Sequence, residues 1–233
     1  MLTFFLRCPN CAHGVSPASF PLCESCRKSL FHCPVLCPQC ASPVCSGLTN
    51  EACKRPWVVN TEIRSFTARY LLLEPGYSVL RKWKVRGGPA FDRQILNFGR
   101  DLKEFLARKE ITKIIPMPQS FERSLELGGS PAERIAVKLS QDLGVPWEAA
   151  LFTERNTGFR QAQLSVTERL KSAKVFHLEA DRISARDTVL LVDDFMTSGQ
   201  TIRRAVRTLR RWEVRDVHVF CLGIRPFMRF NHP

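Results

Sequence analysis

The sequence lacks any apolar run of about 18 residues, so we expect no membrane-spanning helix among its 233 residues. Residues 1–7 are briefly apolar, but they lack the basic start and the long apolar stretch of a signal peptide. We therefore expect a cytoplasmic chain in a reducing compartment, where disulfides are disfavoured.

Acidic residues are also scarce, since 22 Asp and Glu stand against 35 Lys and Arg and leave a formal net charge of +13. Net charge bears on partners and solubility rather than on fold. The positive surplus favours a polyanionic partner: nucleic acid first, a phosphorylated small molecule second and an anionic membrane face third.

Cysteine, in contrast, is abundant and unevenly placed, because nine of the ten lie between Cys8 and Cys53. Residues 1–56 are also rich in Pro, Ser and Gly and show little hydrophobic periodicity, so an apolar core alone could not fold them. A bound metal is the expected organiser. We predict a small metal-binding head at 1–56 and a second domain at 57–233, with Cys221 as a buried, inert thiol.

Two Cys-x-x-Cys hooks, Cys8-Pro-Asn-Cys11 and Cys23-Glu-Ser-Cys26, are separated by eleven residues. When each hook gives two thiolates to the same ion, the arrangement is typical of a tetrahedral, structural zinc site. A second zinc site is predicted with a less regular ligand set: Cys37, Cys40, Cys45 and Cys53. Cys33 is a further candidate ligand for this site. The spacing also allows the two groups to exchange hooks in a cross-braced arrangement.

Residues 57–233 alternate between strand and helix patterns. Short apolar runs predict buried strands at 112–117, 187–194 and 216–224. Apolar residues at helical spacing predict helices at 94–108, 131–143 and 201–212. This alternation predicts an α/β fold in which a parallel sheet is flanked by helices.

The segment 189–201 runs from a hydrophobic strand through two aspartates into a small, hydroxyl-rich turn and then a helix. Unpaired N–H groups at a helix N-terminus hold phosphate, and Gly199 lets the backbone approach without a Cβ. Asp193 and Asp194 lie at the C-terminal end of the predicted strand, where open α/β sheets bind ligands. Their carboxylates are therefore expected to accept hydrogen bonds from sugar hydroxyls and to hold Mg²⁺ through water.

This segment resembles the phosphoribosyl-pyrophosphate (PRPP) fingerprint of type I phosphoribosyltransferases. The resemblance implies that the aspartates bind the ribose hydroxyls and that the turn binds the 5′-phosphate. Ile114-Ile-Pro-Met-Pro118 resembles the segment before the pyrophosphate-side loop of that fold, and Arg123, which follows it, is either a pyrophosphate ligand or a solvated arginine. The predicted PRPP-binding set is Asp193, Asp194, Met196, Thr197, Ser198, Gly199, Gln200, Thr201 and Arg123.

Two basic surfaces suit a nucleic-acid backbone, and neither carries a base-reading motif. The first is the polar face of the predicted helix 201–212, with Arg203, Arg204, Arg207, Arg210 and Arg211. The second places Lys82, Lys84 and Arg86 around Trp83, where phosphate contact and base stacking suit a single strand. Two alternatives stay open: Trp83 belongs to the core, and Lys84 or Arg86 faces the phosphate turn instead.

A zinc-ribbon-like head before a phosphoribosyltransferase domain is similar to the ComF family, the competence-associated proteins of bacterial DNA uptake. Thr157-Gly-Phe-Arg-Gln161, Leu164-Ser165 and Glu168-Arg169 match a pattern of that family. The resemblance implies that the protein handles incoming single-stranded DNA in natural transformation. It also implies a DNA-uptake helicase as partner at the cytosolic face of the inner membrane.

The sequence departs from the family where Leu127-Gly-Gly-Ser130 replaces an expected Arg-Gly-Phe-Asn-Gln segment. We therefore expect PRPP binding with weak or lost transferase turnover. One alternative is an active phosphoribosyltransferase that joins a nucleobase or an amine to ribose 5-phosphate. Another is a PRPP-sensing regulator without DNA contact.

Overall fold

A computed structural model describes residues 6–17, 20–33, 62–119, 121–127, 129–153 and 176–225. The helices are α1 (Glu24–Lys28), α2 (Gly76–Arg86), α3 (Pro89–Ile95), α4 (Gly99–Ala107), α5 (Phe121–Leu127), α6 (Pro131–Leu143) and α7 (Gln200–Arg211). The strands are β1 (Ser65–Leu71), β2 (Lys113–Pro116), β3 (Leu151–Thr153), β4 (Phe176–Leu178), β5 (Thr188–Met196) and β6 (Asp216–Ile224). A short 3₁₀ helix spans Ala180–Arg182.

The main sheet has the strand order β1-β6-β5-β2, and all of its pairings are parallel. Leu190 of β5 lies opposite His218 of β6 on one side and Ile114 of β2 on the other. Because β5 is central, Val189 to Val192 are fully buried, as a continuous apolar strand requires. The predicted α/β class is confirmed, and the three predicted strands appear as β2, β5 and β6. Strand β1 was not predicted.

Two apolar cores cover the two faces of the sheet. The helices α2, α3, α4 and most of α6 pack with Leu190, Val192 and Phe220 on one face. Helix α7 and the antiparallel pair β3–β4 pack on the other, with Val189 and Leu191. Ser130 caps the start of α6, where its hydroxyl accepts the Glu133 N–H at 3.3 Å, and Gly144, with φ +68°, caps the end of the helix.

The single helix predicted at 94–108 is wrong, because α3 ends at Ile95 and α4 begins at Gly99. Gly99 has φ +68°, a conformation that breaks a regular helix, and the Asn97 side chain accepts its N–H at 3.4 Å. Phe98 at the break is fully buried, whereas Phe105, predicted on the same apolar stripe, is 38% exposed.

The described part of the head does not build a core of its own. Cys8, Leu22, Cys23, Cys26 and Leu30 belong to the same apolar cluster as α2 and α3. The contact is close, since a Cβ on Gly76 would lie 2.2 Å from the Ser29 carbonyl oxygen. The Leu22 N–H also donates to Gln94 Oε1 at 3.2 Å. The head therefore takes its apolar support from the helices of the sheet domain, and the predicted boundary at 56–57 lies outside the described residues.

Within the described ranges, no helix combines the length and the apolar character needed to cross a bilayer.

Candidate sugar-phosphate site and metal cluster

The turn after β5 opens towards solvent. Thr197 and Ser198 are exposed, and Gly199 has φ +70°, which a residue with a Cβ adopts only with strain. The first helical bond of α7 joins the Arg203 N–H to the Gly199 carbonyl at 2.9 Å. The N–H groups of Gln200, Thr201 and Ile202 precede this bond, so they are the donors that a helix N-terminus offers to an anion.

A small, open pocket lies at this turn. Its lining brings together six of the nine predicted PRPP-binding residues, namely Asp193, Met196, Thr197, Ser198, Gly199 and Thr201. Phe195 and Ile202 also line it and were missed, because a sequence motif marks polar ligands more readily than apolar walls. Gln200 is exposed at the first position of α7, and the Arg123 side chain in α5 lies outside the described residues.

The two aspartates occupy different environments. Asp193 lines the pocket, and its Oδ1 accepts the Asp194 N–H at 2.9 Å. Asp194 is only 8% exposed, and its Oδ2 forms an ion pair with Lys84 Nζ at 2.6 Å. A buried carboxylate needs such a partner because burial strips it of water.

Lys84 thus contacts one of the two predicted sugar-binding aspartates, although the lining of the pocket includes neither Lys84 nor Asp194. It also contacts the pocket wall, since its Nζ lies 5.3 Å from the centroid of the Phe195 ring. Sequence reasoning could not locate this ion pair because Lys84 and Asp194 are 110 positions apart in the chain.

Of the two alternatives that the sequence left open for Trp83, base stacking and a place in the core, the structure shows the second, because Trp83 is fully buried. Its Nε1 donates to Asp92 Oδ1 at 2.7 Å, and the Arg134 guanidinium lies 4.5 Å from its ring. Arg134 also pairs with Asp92 at 3.1 Å. Burial lowers the pKa of Arg134, while the charges of Asp92 and Asp194 oppose that shift. Asp194 therefore lies in the field of two cations.

Two groups of residues are linked to the acids, one along the chain and the other through the ion pair of Lys84 with Asp194. The loop side consists of Thr197, Ser198, Gly199 and Thr201, and the helix side consists of Lys84, Trp83, Asp92 and Arg134. Beside the helix side, Tyr77 packs edge-on against Phe195 at 6.0 Å. The guanidinium carbons of Arg81 and Arg225 lie 5.9 Å and 6.0 Å from the centroid of the Tyr77 ring.

Strand β6, which pairs with β5, carries Cys221. This residue is fully buried and lies opposite Asp193 in the strand pairing. Burial raises the pKa of its thiol well above the ordinary value, and the charges of Asp193 and Asp194 act in the same direction. The predicted burial of this cysteine is confirmed.

The predicted basic residues fall into two classes. Lys82 donates to the Asn10 carbonyl of the head, and Arg210 donates to the carbonyls of Glu62, Val214 and Arg215. These contacts occupy both cations with structural bonds. Arg207, Arg211 and Arg86 are exposed, and Arg203 and Arg204 are half-buried.

The first predicted cysteine group converges in space. The sulfur atoms of Cys8, Cys11, Cys23 and Cys26 all lie within 4.8 Å of one another. Tetrahedral zinc with Zn–S bonds of about 2.3 Å places its sulfurs roughly 3.8 Å apart, so the cluster fits such an ion. The Asn10 amide donates to Cys26 Sγ at 3.3 Å, and the Cys26 N–H approaches Cys23 Sγ at 3.5 Å. Bonds of this kind steady metal-bound sulfurs.

The thiols of this cluster are not equivalent. Burial raises the pKa of Cys8, but backbone N–H groups of Cys23, Cys11 and Asn10 outweigh it and bring the pKa to about 7. Burial raises the pKa of Cys26 to about 12. Cys33 packs against the other core, and burial raises its pKa to about 12. The predicted second set, Cys37, Cys40, Cys45 and Cys53, lies outside the described residues, as does the segment 157–169.

A family model described as "Phosphoribosyl transferase domain" matches residues 129–226. The DNA utilization protein YhgH of Salmonella typhi is 24% identical over 95% of this chain and 98% of that protein. Competence protein F of Haemophilus influenzae is 25% identical over 96% of this chain and 99% of that protein.

Two phosphoribosyltransferases match over shorter stretches. The xanthine phosphoribosyltransferase of Agathobacter rectalis is 32% identical over 49% of this chain and 55% of that enzyme. A purine phosphoribosyltransferase structure from Pyrococcus horikoshii gives a TM-score of 0.38 at 19% identity, covering 59% of this chain and 75% of that one.

The parallel sheet and the matched domain define the class of protein: a type I phosphoribosyltransferase fold with a small cysteine-bearing head. Over nearly its whole length the chain is a relative of the proteins named competence protein F and DNA utilization protein YhgH. The resemblance to the ComF family that the sequence predicted is confirmed by these relatives.

Proposed function

We propose that the chain binds PRPP together with Mg²⁺ in the pocket at the end of β5. The open turn at Gly199 carries this proposal, because it joins exposed hydroxyls to the unpaired N–H groups of α7 beside Asp193. These are the donors that a sugar phosphate needs at its 5′ end.

The aspartates would serve the sugar and its metal. Carboxylates at the carboxyl end of a parallel strand accept hydrogen bonds from ribose hydroxyls, and they suit Mg²⁺, which prefers oxygen ligands and keeps several waters. Asp193 lines the pocket and Asp194 is ion-paired with Lys84, so Asp193 is expected to contribute more of the direct sugar contact.

The test is calorimetric titration of Mg²⁺ and PRPP into the full chain and into an Asp193→Ala, Asp194→Ala variant. We expect the variant to lose PRPP binding and to keep the head folded. Asp181→Ala removes an exposed acid from the 3₁₀ helix and serves as the matched control. Undiminished PRPP affinity in the double variant would refute the assigned roles.

The second part of the proposal is that the protein handles single-stranded DNA during DNA uptake in natural transformation. The names of the full-length relatives, the net charge of +13 and the exposed Arg207 and Arg211 support it. We place this role on the cytoplasmic side of the inner membrane, with a DNA-uptake helicase as partner. Gel shifts with single-stranded and double-stranded DNA across a salt series test it, and no shift with single strands at low salt would contradict it.

Zinc is the ion that we propose for the cluster of Cys8, Cys11, Cys23 and Cys26. Four converging thiols favour zinc over the oxygen-preferring cations, and a site with four protein ligands is closed to catalysis. Metal analysis of the purified protein, with a Cys8→Ser, Cys11→Ser variant for comparison, measures the bound zinc.

A second candidate function is phosphoribosyl transfer to a nucleobase or an amine. The matched phosphoribosyl transferase domain favours it. Transfer requires loss of pyrophosphate from the sugar, so it is governed by positioning and by stabilisation of the leaving group. Incubation with labelled PRPP, Mg²⁺ and a panel of bases separates the candidates, because only an active transferase releases pyrophosphate in proportion to the acceptor.

A further inference from the structure

Lys82 of α2 reaches out of the sheet domain and donates to the backbone carbonyl of Asn10 in the head. The lysine is half-buried, and among the described residues its ammonium meets no carboxylate. Burial takes water away from a cation, and a neutral carbonyl replaces only part of what the water supplied. The position of Lys82 is therefore most favourable when another negative group lies close to Asn10.

Asn10 itself is joined to the cysteine cluster. Its side-chain amide donates to Cys26 Sγ at 3.3 Å, and its backbone N–H and that of Cys11 both bond to the Cys8 sulfur. Cys8 and Cys26 are only 2% and 7% exposed, so these N–H groups take the place of water at the two sulfurs. Asn10 thus lies between Lys82 and two of the predicted metal ligands.

One peptide group connects the ammonium to a sulfur. The Asn10 carbonyl that Lys82 contacts and the Cys11 N–H that bonds to Cys8 belong to the same peptide bond. A cation on the oxygen of a peptide group polarises it and strengthens the hydrogen bond that its N–H donates. Lys82 therefore acts on the Cys8 sulfur through this peptide as well as through its own field.

The cluster becomes negative when it holds its metal. Cysteines bind zinc as thiolates, so four of them on one Zn²⁺ leave a net negative charge. The cations of the described head are poorly placed to offset it: Arg7 and Arg27 are exposed, where water screens their charge, and Lys28 is paired with Glu24 at 2.6 Å. Lys82 is the half-buried cation that the sheet domain brings to the first hook.

We infer that Lys82 is a charge partner of the metal cluster, whose ammonium, held on the Asn10 carbonyl, offsets the negative charge of the metal-bound thiolates. The metal site of the head is then completed by a side chain of the sheet domain, 72 positions from Asn10 in the chain. This inference rests on the zinc part of the proposed function and extends it to a residue outside the four thiols.

The test measures zinc affinity by competition with a chromophoric chelator on the full, reduced chain. Lys82→Met should bind zinc about tenfold or more weakly, because loss of an outer contact to metal ligands costs about 10- to 100-fold in metal affinity. Lys82→Arg keeps the charge and the donors and should recover most of the loss. Arg86→Met removes the same charge from the exposed last position of α2 and should leave zinc affinity unchanged.

A second measurement separates charge from docking, since Lys82 also fastens the head to α2. Gln94→Ala removes another contact of the same interface, with the Leu22 N–H, and changes no charge. In protein loaded with Co²⁺, the sulfur-to-cobalt charge-transfer bands should move to longer wavelength in Lys82→Met, because the sulfurs lose the field of a cation, and stay in place in Gln94→Ala.

Unchanged zinc affinity in Lys82→Met would overturn the inference. Equal losses of affinity in Lys82→Met and Gln94→Ala, with cobalt bands that do not move, would overturn it as well and leave Lys82 as a docking contact. An unaltered chain that binds neither zinc nor cobalt would refute the zinc proposal itself, and this inference with it.

Discussion

The loop side and the helix side are built in different ways. The loop side is a run of neighbouring residues. Its backbone amides and hydroxyls lie together as hydrogen-bond donors because Gly199 turns the chain into α7. The helix side joins α2, α3 and α6, and its charges meet only because those helices pack on one face of the sheet. The loop side therefore depends on local chain conformation and the helix side on tertiary packing. Substitutions in the two sides should have different effects on ligand binding and stability.

The head provides the largest test of this difference, because it packs against the helix that carries Lys84. Removing the metal with a chelator is expected to unfold the described head, since metal binding in such small sites supplies roughly 10 kcal/mol or more of folding free energy. Loss of its contacts with Gly76 and Gln94 should loosen α2 and α3, respectively.

PRPP affinity should then fall, because α2 carries the Lys84 partner of Asp194. Calorimetry on metal-loaded and metal-stripped protein, with readdition of zinc, measures the loss. Undiminished PRPP affinity in the stripped protein would show that the head does not act through α2.

Gly199→Ala tests the loop side directly. A Cβ at φ +70° costs about 1–2 kcal/mol and blocks close approach of a phosphate, so PRPP should bind about tenfold or more weakly. Gly144→Ala is the matched control, because Gly144 has φ +68° at the end of α6 with open space around it. The two variants should lose similar stability in thermal unfolding, and only Gly199→Ala should lose ligand affinity.

Arg207 and Arg211 test whether the exposed face of α7 extends the loop side towards DNA. Replacing both with alanine should weaken single-strand binding and reduce the slope of log affinity against log salt by about 1.4, since each single-strand phosphate contact contributes about 0.7. Arg210→Ala should lower stability instead, because its guanidinium holds backbone carbonyls. An unchanged slope in the Arg207, Arg211 variant would place the DNA surface elsewhere.

The smallest expected effect concerns the packing of the helix side. A Cβ on Gly87 would lie 1.6 Å from Arg134 Nη1, so Gly87→Ala should displace that guanidinium from Trp83 and Asp92. We expect about 1 kcal/mol of lost stability and a loss of PRPP affinity of only a few-fold. Gly88→Ala, which meets nothing within 4 Å, should be neutral in thermal unfolding and in PRPP titration.

The loop side was predictable from sequence because its residues lie close together in the chain. The strand 187–194 and the helix 201–212 were each placed within about two residues of their observed bounds, and six predicted residues line the pocket. The cluster of Cys8, Cys11, Cys23 and Cys26 was predictable for the same reason, since two short hooks bring their own ligands close.

The helix side was not predictable in this way. The pattern 81–86 indicated cations around an aromatic ring, but a helix turns successive side chains about 100° apart and sends them to different neighbours. Trp83 is therefore buried, Lys82 reaches the head and Lys84 reaches Asp194, although all three come from one run. Which of them meets the site depends on how α2 packs, and periodicity does not specify that.

The amino-acid order determined by itself the α/β class, the four-thiol cluster and the hydroxyl-rich turn after β5, because each depends on residues that are close in the chain. Only the tertiary structure decided that Asp194 pairs with Lys84, that Trp83 is buried and that the head shares its core with α2 and α3. The physical reason is that charge pairing and core burial are satisfied between distant segments, and many partners would satisfy a lone lysine or tryptophan equally well until packing selects one.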